Sequence, residues 1–179
     1  MKPLLFIVAF IAVAGCASRP APTVSPVAVA PDQSYANANN RILTEFGATL
    51  KRLAARPVVK PLKTVTKPER REMLAKQMEP IGGAAITALA KLDRLTPPPA
   101  TRDIHNATRA LLVTYRDNNV ALVAAIRRGD RKQVATLGDK SDADSAAAFV
   151  KLRATLIDAL VREGKTPEQA QELTKNVAL

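Results

Sequence analysis

Apolar positions recur along this chain in steps of three and four residues, the period of an α-helix with one face turned inward. Between about Gln33 and Arg56 the row is Tyr35, Ile42, Phe46, Leu50 and Leu53, which predicts a first amphipathic helix with Asp32 as its N-cap. From about Pro68 to Leu95 the residues Leu74, Met78, Ile81, Ala85, Ala88, Leu92 and Leu95 alternate steps of four and three without a miss. That row is a heptad seam. Pro80 sits inside it, cannot donate to the Lys76 carbonyl, and is followed by Gly82 and Gly83. Because the apolar register passes straight through, the pattern predicts a kink rather than a loop. The two glycines are read as close backbone packing on a neighbouring helix rather than as a functional hinge.

A third seam, Ile104, Ala107, Leu111, Tyr115, Asn118, Leu122 and Ala125, covers about Ala100 to Arg128 and stops at Gly129. Asn118 lies on its apolar line, either as a buried polar group that sets register or at the seam's edge. A fourth helix is expected from about Ser145 to Glu163, with Phe149, Leu156 and Leu160 inward and "GDKSDADS" capping its start. Thr166, followed by Pro167 and Glu168, opens a short last helix reaching about Val177. The three prolines of "LTPPPATRD" form a stiff connector, and "RPVVKPLKTVTKP", residues 56–68, reads as an extended crossover. The fold expected is all-α: an antiparallel up-and-down bundle of four main helices plus a short C-terminal helix. Composition narrows the packing, since 47% of residues are hydrophobic but only 3% aromatic, with no Trp. The core must therefore be aliphatic.

Ahead of the bundle the pattern changes twice. "MKPLLFIVAFIAVAG" has a cation at Lys2, an uncharged apolar run of about ten residues and then small residues, the layout of an export signal too short to span a bilayer. The only cysteine, Cys16, follows directly in "VAGC". These four residues resemble the lipobox of bacterial lipoprotein precursors. The resemblance implies that Cys16 is the lipid attachment point, that residues 1–15 are a cleaved signal peptide, and that Cys16 begins the mature chain. An anchor of two acyl chains holds a protein at a bilayer without a transmembrane helix. The resemblance further implies a cell-envelope location. Ala17, rather than Asp, follows the cysteine, which implies the outer membrane facing the periplasm if the source is Gram-negative. Residues 16–31, with prolines at 20, 22, 26 and 31, read as an extended tether, and residues 32–179 as the helical domain. The stretch from Leu92 to Asp130, with its leucines, proline cluster, early-helix His and long Ala- and Leu-rich helix closing on "GD", is similar to small helical envelope lipoproteins of bacteria that carry no assigned activity. What this implies is a fold class, not a reaction.

Candidate chemistry changes the picture little. His105 is the only histidine, and an imidazole metal site needs partners. Beside a proline turn it is read as a packing or capping residue. Asp139, Asp142 and Asp144 lack the loop glycine and closing glutamate of a calcium loop, and helix capping accounts for them. Nucleophile elbows, phosphate-cradling loops and dinucleotide fingerprints are absent from the sequence. The expectation is a non-enzyme without cofactor or metal.

Charge adds more. The chain carries 27 Lys and Arg against 16 Asp and Glu, a formal +11. Between residues 51 and 76, Lys51, Arg52, Arg56, Lys60, Lys63, Lys67, Arg70, Arg71 and Lys76 face only Glu69 and Glu72, a local excess of seven. Nucleic acid is not the expected partner, because export removes the chain from it and no aromatics interleave to stack on bases. The expectation is contact with anionic envelope polymers or lipid headgroups, set against a solvated surface that maintains solubility. The function read from the sequence is thus a membrane-anchored envelope lipoprotein with a structural or binding role. The alternative is a periplasmic module that binds a small or lipidic ligand in a helical groove.

Overall fold

The computed structural model describes residues 31–55 and 67–175. The expected signal, Cys16, the tether up to residue 30, and the crossover residues 56–66 with Arg56, Lys60 and Lys63 lie outside the described residues. Among the described residues the fold holds five α-helices and one short 3₁₀ turn: α1 Pro31–Ala54, α2 Pro68–Leu92, the 3₁₀ turn Pro99–Thr101, α3 Arg102–Arg128, α4 Arg131–Arg162 and α5 Pro167–Thr174. Among the described residues there is no strand. None of these helices is long and apolar enough to cross a membrane.

Side-chain pairs fix the directions. Asp93 and Arg109 meet at one end of α2 and α3, and Glu72 and Arg127 at the other, so the two helices are antiparallel. Asp103 with Arg162, and Asn118 with Asp144, make α3 and α4 antiparallel in turn. Tyr35 meets His105 and Phe46 meets Tyr115, which sets α1 parallel to α3. The result is the up-and-down bundle, α1 to α4, with α5 folded back on α4. Tight connections enforce it. Gly129, at φ 75°, takes the left-handed conformation that ends α3, and the Gly129 and Asp130 amides turn back onto the Ala125 and Ile126 carbonyls.

The aliphatic core divides in two. The upper part is a four-helix layer in which Ile42, Phe46 and Leu50 of α1 meet Ala85, Ala88, Leu89 and Leu92 of α2, Leu111, Leu112 and Tyr115 of α3, and Leu152 of α4. Tyr115 is its pivot: Phe46 and Phe149 contact it edge-on at ring separations of 5.2 and 6.3 Å, the geometry favoured by the aromatic quadrupole. The lower part is a three-helix layer of Leu74, Ala75, Val123, Ala125, Ile126 and Val134. Between the two layers lies a polar clamp. Asn119 accepts a hydrogen bond from the Gly82 amide at 3.0 Å and donates to the Met78 carbonyl at 3.0 Å. α2 is continuous from Pro68 to Leu92, so these two groups also face each other across one helical turn, and Asn119 bonds both from outside, beside Pro80, which cannot donate to the preceding turn.

Several expected details change. α1 begins at Pro31, so Asp32 falls inside the helix rather than at its cap. Asn118 is half-buried and hydrogen-bonds Asp144 at 3.2 Å, while its neighbour Asn119 is the buried polar residue. The largest difference is α4, which starts at Arg131 rather than near Ser145. Its N-cap is Asp130, whose side chain accepts from the Gln133 amide. The stretch read as a cap is therefore helix. Val134 and Leu137 bury against the lower core layer, and an Asp144–Lys140 pair supports the turn from outside. At the end of the chain Thr166 forms the expected capping box with Gln169.

Candidate functional site

The lower end of the bundle carries the charge singled out from the sequence. Lys51 and Arg52 are exposed in the last turn of α1. Arg52 donates to Thr49 at 3.1 Å and stays on its own helix. Lys67, Arg70 and Lys76 are exposed at and near the start of α2. Arg71 departs from the sequence reading. It is half-buried, its guanidinium donates to the Arg128 carbonyl at 3.2 Å, and an added Cβ at Gly129 would run into it. Arg71 thus caps the C-terminus of α3, where a cation is favoured by the helix dipole.

The fold adds cations that the sequence reading passed over. The turn at Gly129 places the cations of "RRGDRK", residues 127–132, beside the start of α2. Arg127 is not free: it reaches Glu72 at 3.1 Å and Glu79 at 2.6 Å. The Glu72 carboxyl is held below its ordinary pKa by that guanidinium, with a smaller contribution from Lys76. Arg128, Arg131 and Lys132 are exposed. Arg131 and Lys132 stand in the first turn of α4, which holds no acidic residue, so their charge opposes the dipole of their own helix. The signal that would have found them is the α3–α4 turn itself, since Gly129 followed by a capping Asp130 brings Arg127–Arg128 and Arg131–Lys132 to one corner.

At the upper end the bundle is more evenly charged. His105 is half-buried, and its Nδ1 lies 3.0 Å from the Tyr35 hydroxyl, with ring centroids 6.1 Å apart. The contact pins the start of α1 to the start of α3. Burial pushes the Tyr35 hydroxyl up to about 12. Asp139 and Asp142 lie instead on the lower half of α4, where both are exposed, and Asp144, level with Asn118, is held below its ordinary pKa by Lys140 first and Asn118 second. Among the described residues no three potential metal-ligating side chains come together.

Two clefts bear on the alternative of a ligand groove. One, of about 240 Å³ between α1 and α2, is lined by Ile42, Phe46, Thr49, Gly83, Ala84 and Thr87, with the Glu45–Lys91 pair at 2.5 Å along it. The other, of about 330 Å³ between α3 and α4, is lined by Asp103, Asn106, Lys151, Thr155, Asp158 and Arg162. Pockets for small ligands span roughly 300–1,000 Å³ and are mostly apolar. The first cleft falls short in volume and the second is lined by charges.

Compared with known protein families, curated proteins and solved structures, the chain gives no match.

Proposed function

We propose that this chain is a lipid-anchored envelope protein of bacteria whose helical bundle acts by contact rather than catalysis. The observation that carries the reading is the register of three sequence features: the cation at Lys2, an apolar run too short to span a bilayer, and "VAGC" with the only cysteine at its end. Two acyl chains on Cys16, each buried methylene contributing about 0.8 kcal/mol, would suffice for stable anchoring. The outer membrane, on its periplasmic side, is the proposed location if the source is Gram-negative.

The basic segment is the proposed contact surface. Lys51, Arg52, Lys67, Arg70 and Lys76 are exposed, and each cation near an anionic surface contributes about 1 kcal/mol. Arg71 is withdrawn from that set by its bond to the Arg128 carbonyl. The clefts lend less support to a bound small ligand, by volume in one case and by polarity in the other.

A Cys16→Ser chain, expressed beside the native one with an alkyne-tagged fatty acid, tests the anchor. The native chain should take up label and fractionate with membranes. The serine variant should do neither, and equal labelling of the two would overturn the reading.

A further inference from the structure

The surface offered to a polyanion is sharper than the basic segment alone, and it lies at a particular place. Its tip is made by three helix ends: Lys67 and Arg70 at the start of α2, Arg128 at the end of α3, and Arg131 and Lys132 at the start of α4, all exposed. Of the nearby carboxylates, Glu72 is paired with Arg127. Glu69 and Asp130, the latter also accepting from the Gln133 amide, remain as exposed counter-charges against the five cations.

The tip is remote from where the chain enters the bundle. Tyr35, one turn into α1, sits beside His105 at the top of α3, and α3 then runs down to Arg128. At 1.5 Å per residue, Pro31 and the basic tip are separated by about 40 Å along the bundle. The fifteen residues from Cys16 to Pro31 reach about 45 Å when fully extended as polyproline II, and about 20 Å as a flexible coil. For the tip to touch the bilayer that holds Cys16, the tether would have to run back along the whole bundle at nearly full stretch. Facing away from that bilayer requires no stretch.

We infer that the basic tip docks on a second anionic bilayer, so that the protein bridges two lipid surfaces, one holding its acyl chains and the other bound through headgroup phosphates. The inference rests on the lipid-anchor reading above. A bilayer fits the tip better than a threaded polymer. The tip is a blunt assembly of helix ends, none of its residues lines either of the two clefts described above, and residues 67–79 and 119–140 contain no aromatic side chain to stack on a strand. Arg131 and Lys132 oppose the dipole of their own helix, so their charge is placed for an external anion rather than for folding.

The test uses the native lipidated chain reconstituted into neutral phosphatidylcholine vesicles, mixed with dye-filled vesicles containing phosphatidylglycerol. Docking between the two populations should occur with the anionic vesicles, fall at least tenfold when phosphatidylglycerol is left out, and vanish at high salt. The double variant Arg131→Glu, Lys132→Glu should dock at least tenfold less while its thermal midpoint stays level or rises. A chain that fails to float with its own vesicles overturns the anchor reading and the bridge together. A chain that floats but does not dock overturns the bridge alone. Retention on purified cell-wall fragments without vesicle docking would also overturn it.

Discussion

Asn119 and Asn118 are consecutive on α3, and only one of them holds the bundle together. Asn119 bonds the Gly82 amide and the Met78 carbonyl at the point where Pro80 removes a donor from α2. Asn119→Ala should therefore cost about 1–3 kcal/mol, because the buried Gly82 amide and the half-buried Met78 carbonyl each lose a partner. Asn118→Ala, losing one bond to an exposed-side carboxylate, should cost well under half of that in the same urea titration. Equal losses would contradict the clamp. The glycines beside Pro80 divide in the same way. A Cβ at Gly82 would lie 2.6 Å from Asn119 Oδ1, whereas one at Gly83 meets nothing within 4 Å. Gly82→Ala should destabilise by about 1–3 kcal/mol through the displaced amide, and Gly83→Ala should stabilise by about 0.5–1 kcal/mol through helix propensity. The sequence predicted close packing at this glycine pair. It could not say which of the two glycines is packed, nor which asparagine packs on it, because the α2–α3 rotation that decides both is set by the whole interface.

Heptad seams made α2 and α3 readable to within a few residues, since Leu74 to Leu92 and Ala107 to Ala125 keep their register without interruption. The first half of α4 was not readable. Residues 131–144 contain Gly138 and three aspartates, a poor local helix signal, and only the burial of Val134 and Leu137 against α2 and α3 makes the segment helical. This predicts that Asp130→Ala, which removes the N-cap bond to Gln133, costs about 0.5–2 kcal/mol. Gly138→Ala, with open space around the new Cβ, should add about 0.5–1 kcal/mol. Thermal melts of the two variants should shift in opposite directions, and a destabilising Gly138→Ala would argue that this segment is not a regular helix. Ion pairs between elements add an acid dependence. Glu45 is lowered chiefly by Lys91 and then Arg41, and Glu72 chiefly by Arg127. A carboxyl lowered in the folded state stabilises in full above its unfolded value and loses that contribution as pH falls through the folded one. The thermal midpoint should thus drop below about pH 4.5, and Glu72→Gln should flatten the slope there. An unchanged slope would mean that the Glu72–Arg127 pair is not formed in solution.

For the molecule as a whole, the bundle has unlike ends. The end where α1 begins carries the Tyr35–His105 contact and mixed charge. The other gathers the exposed cations of α2, α3 and α4. Half of that polarity was legible in the sequence, as the excess of basic residues from 51 to 76. The other half, Arg128, Arg131 and Lys132, became part of it only once the Gly129 turn had folded them onto the start of α2. In the proposed reading, outward use of that end depends on the opposite one being held through Cys16. The intact mass of the native product, extracted from membranes with detergent, tests this most directly. The account predicts a chain that begins at Cys16 and exceeds the mass of its polypeptide by a diacylglyceryl group, with or without a further acyl chain. A product that begins elsewhere, or whose Cys16 carries no added mass, would contradict it.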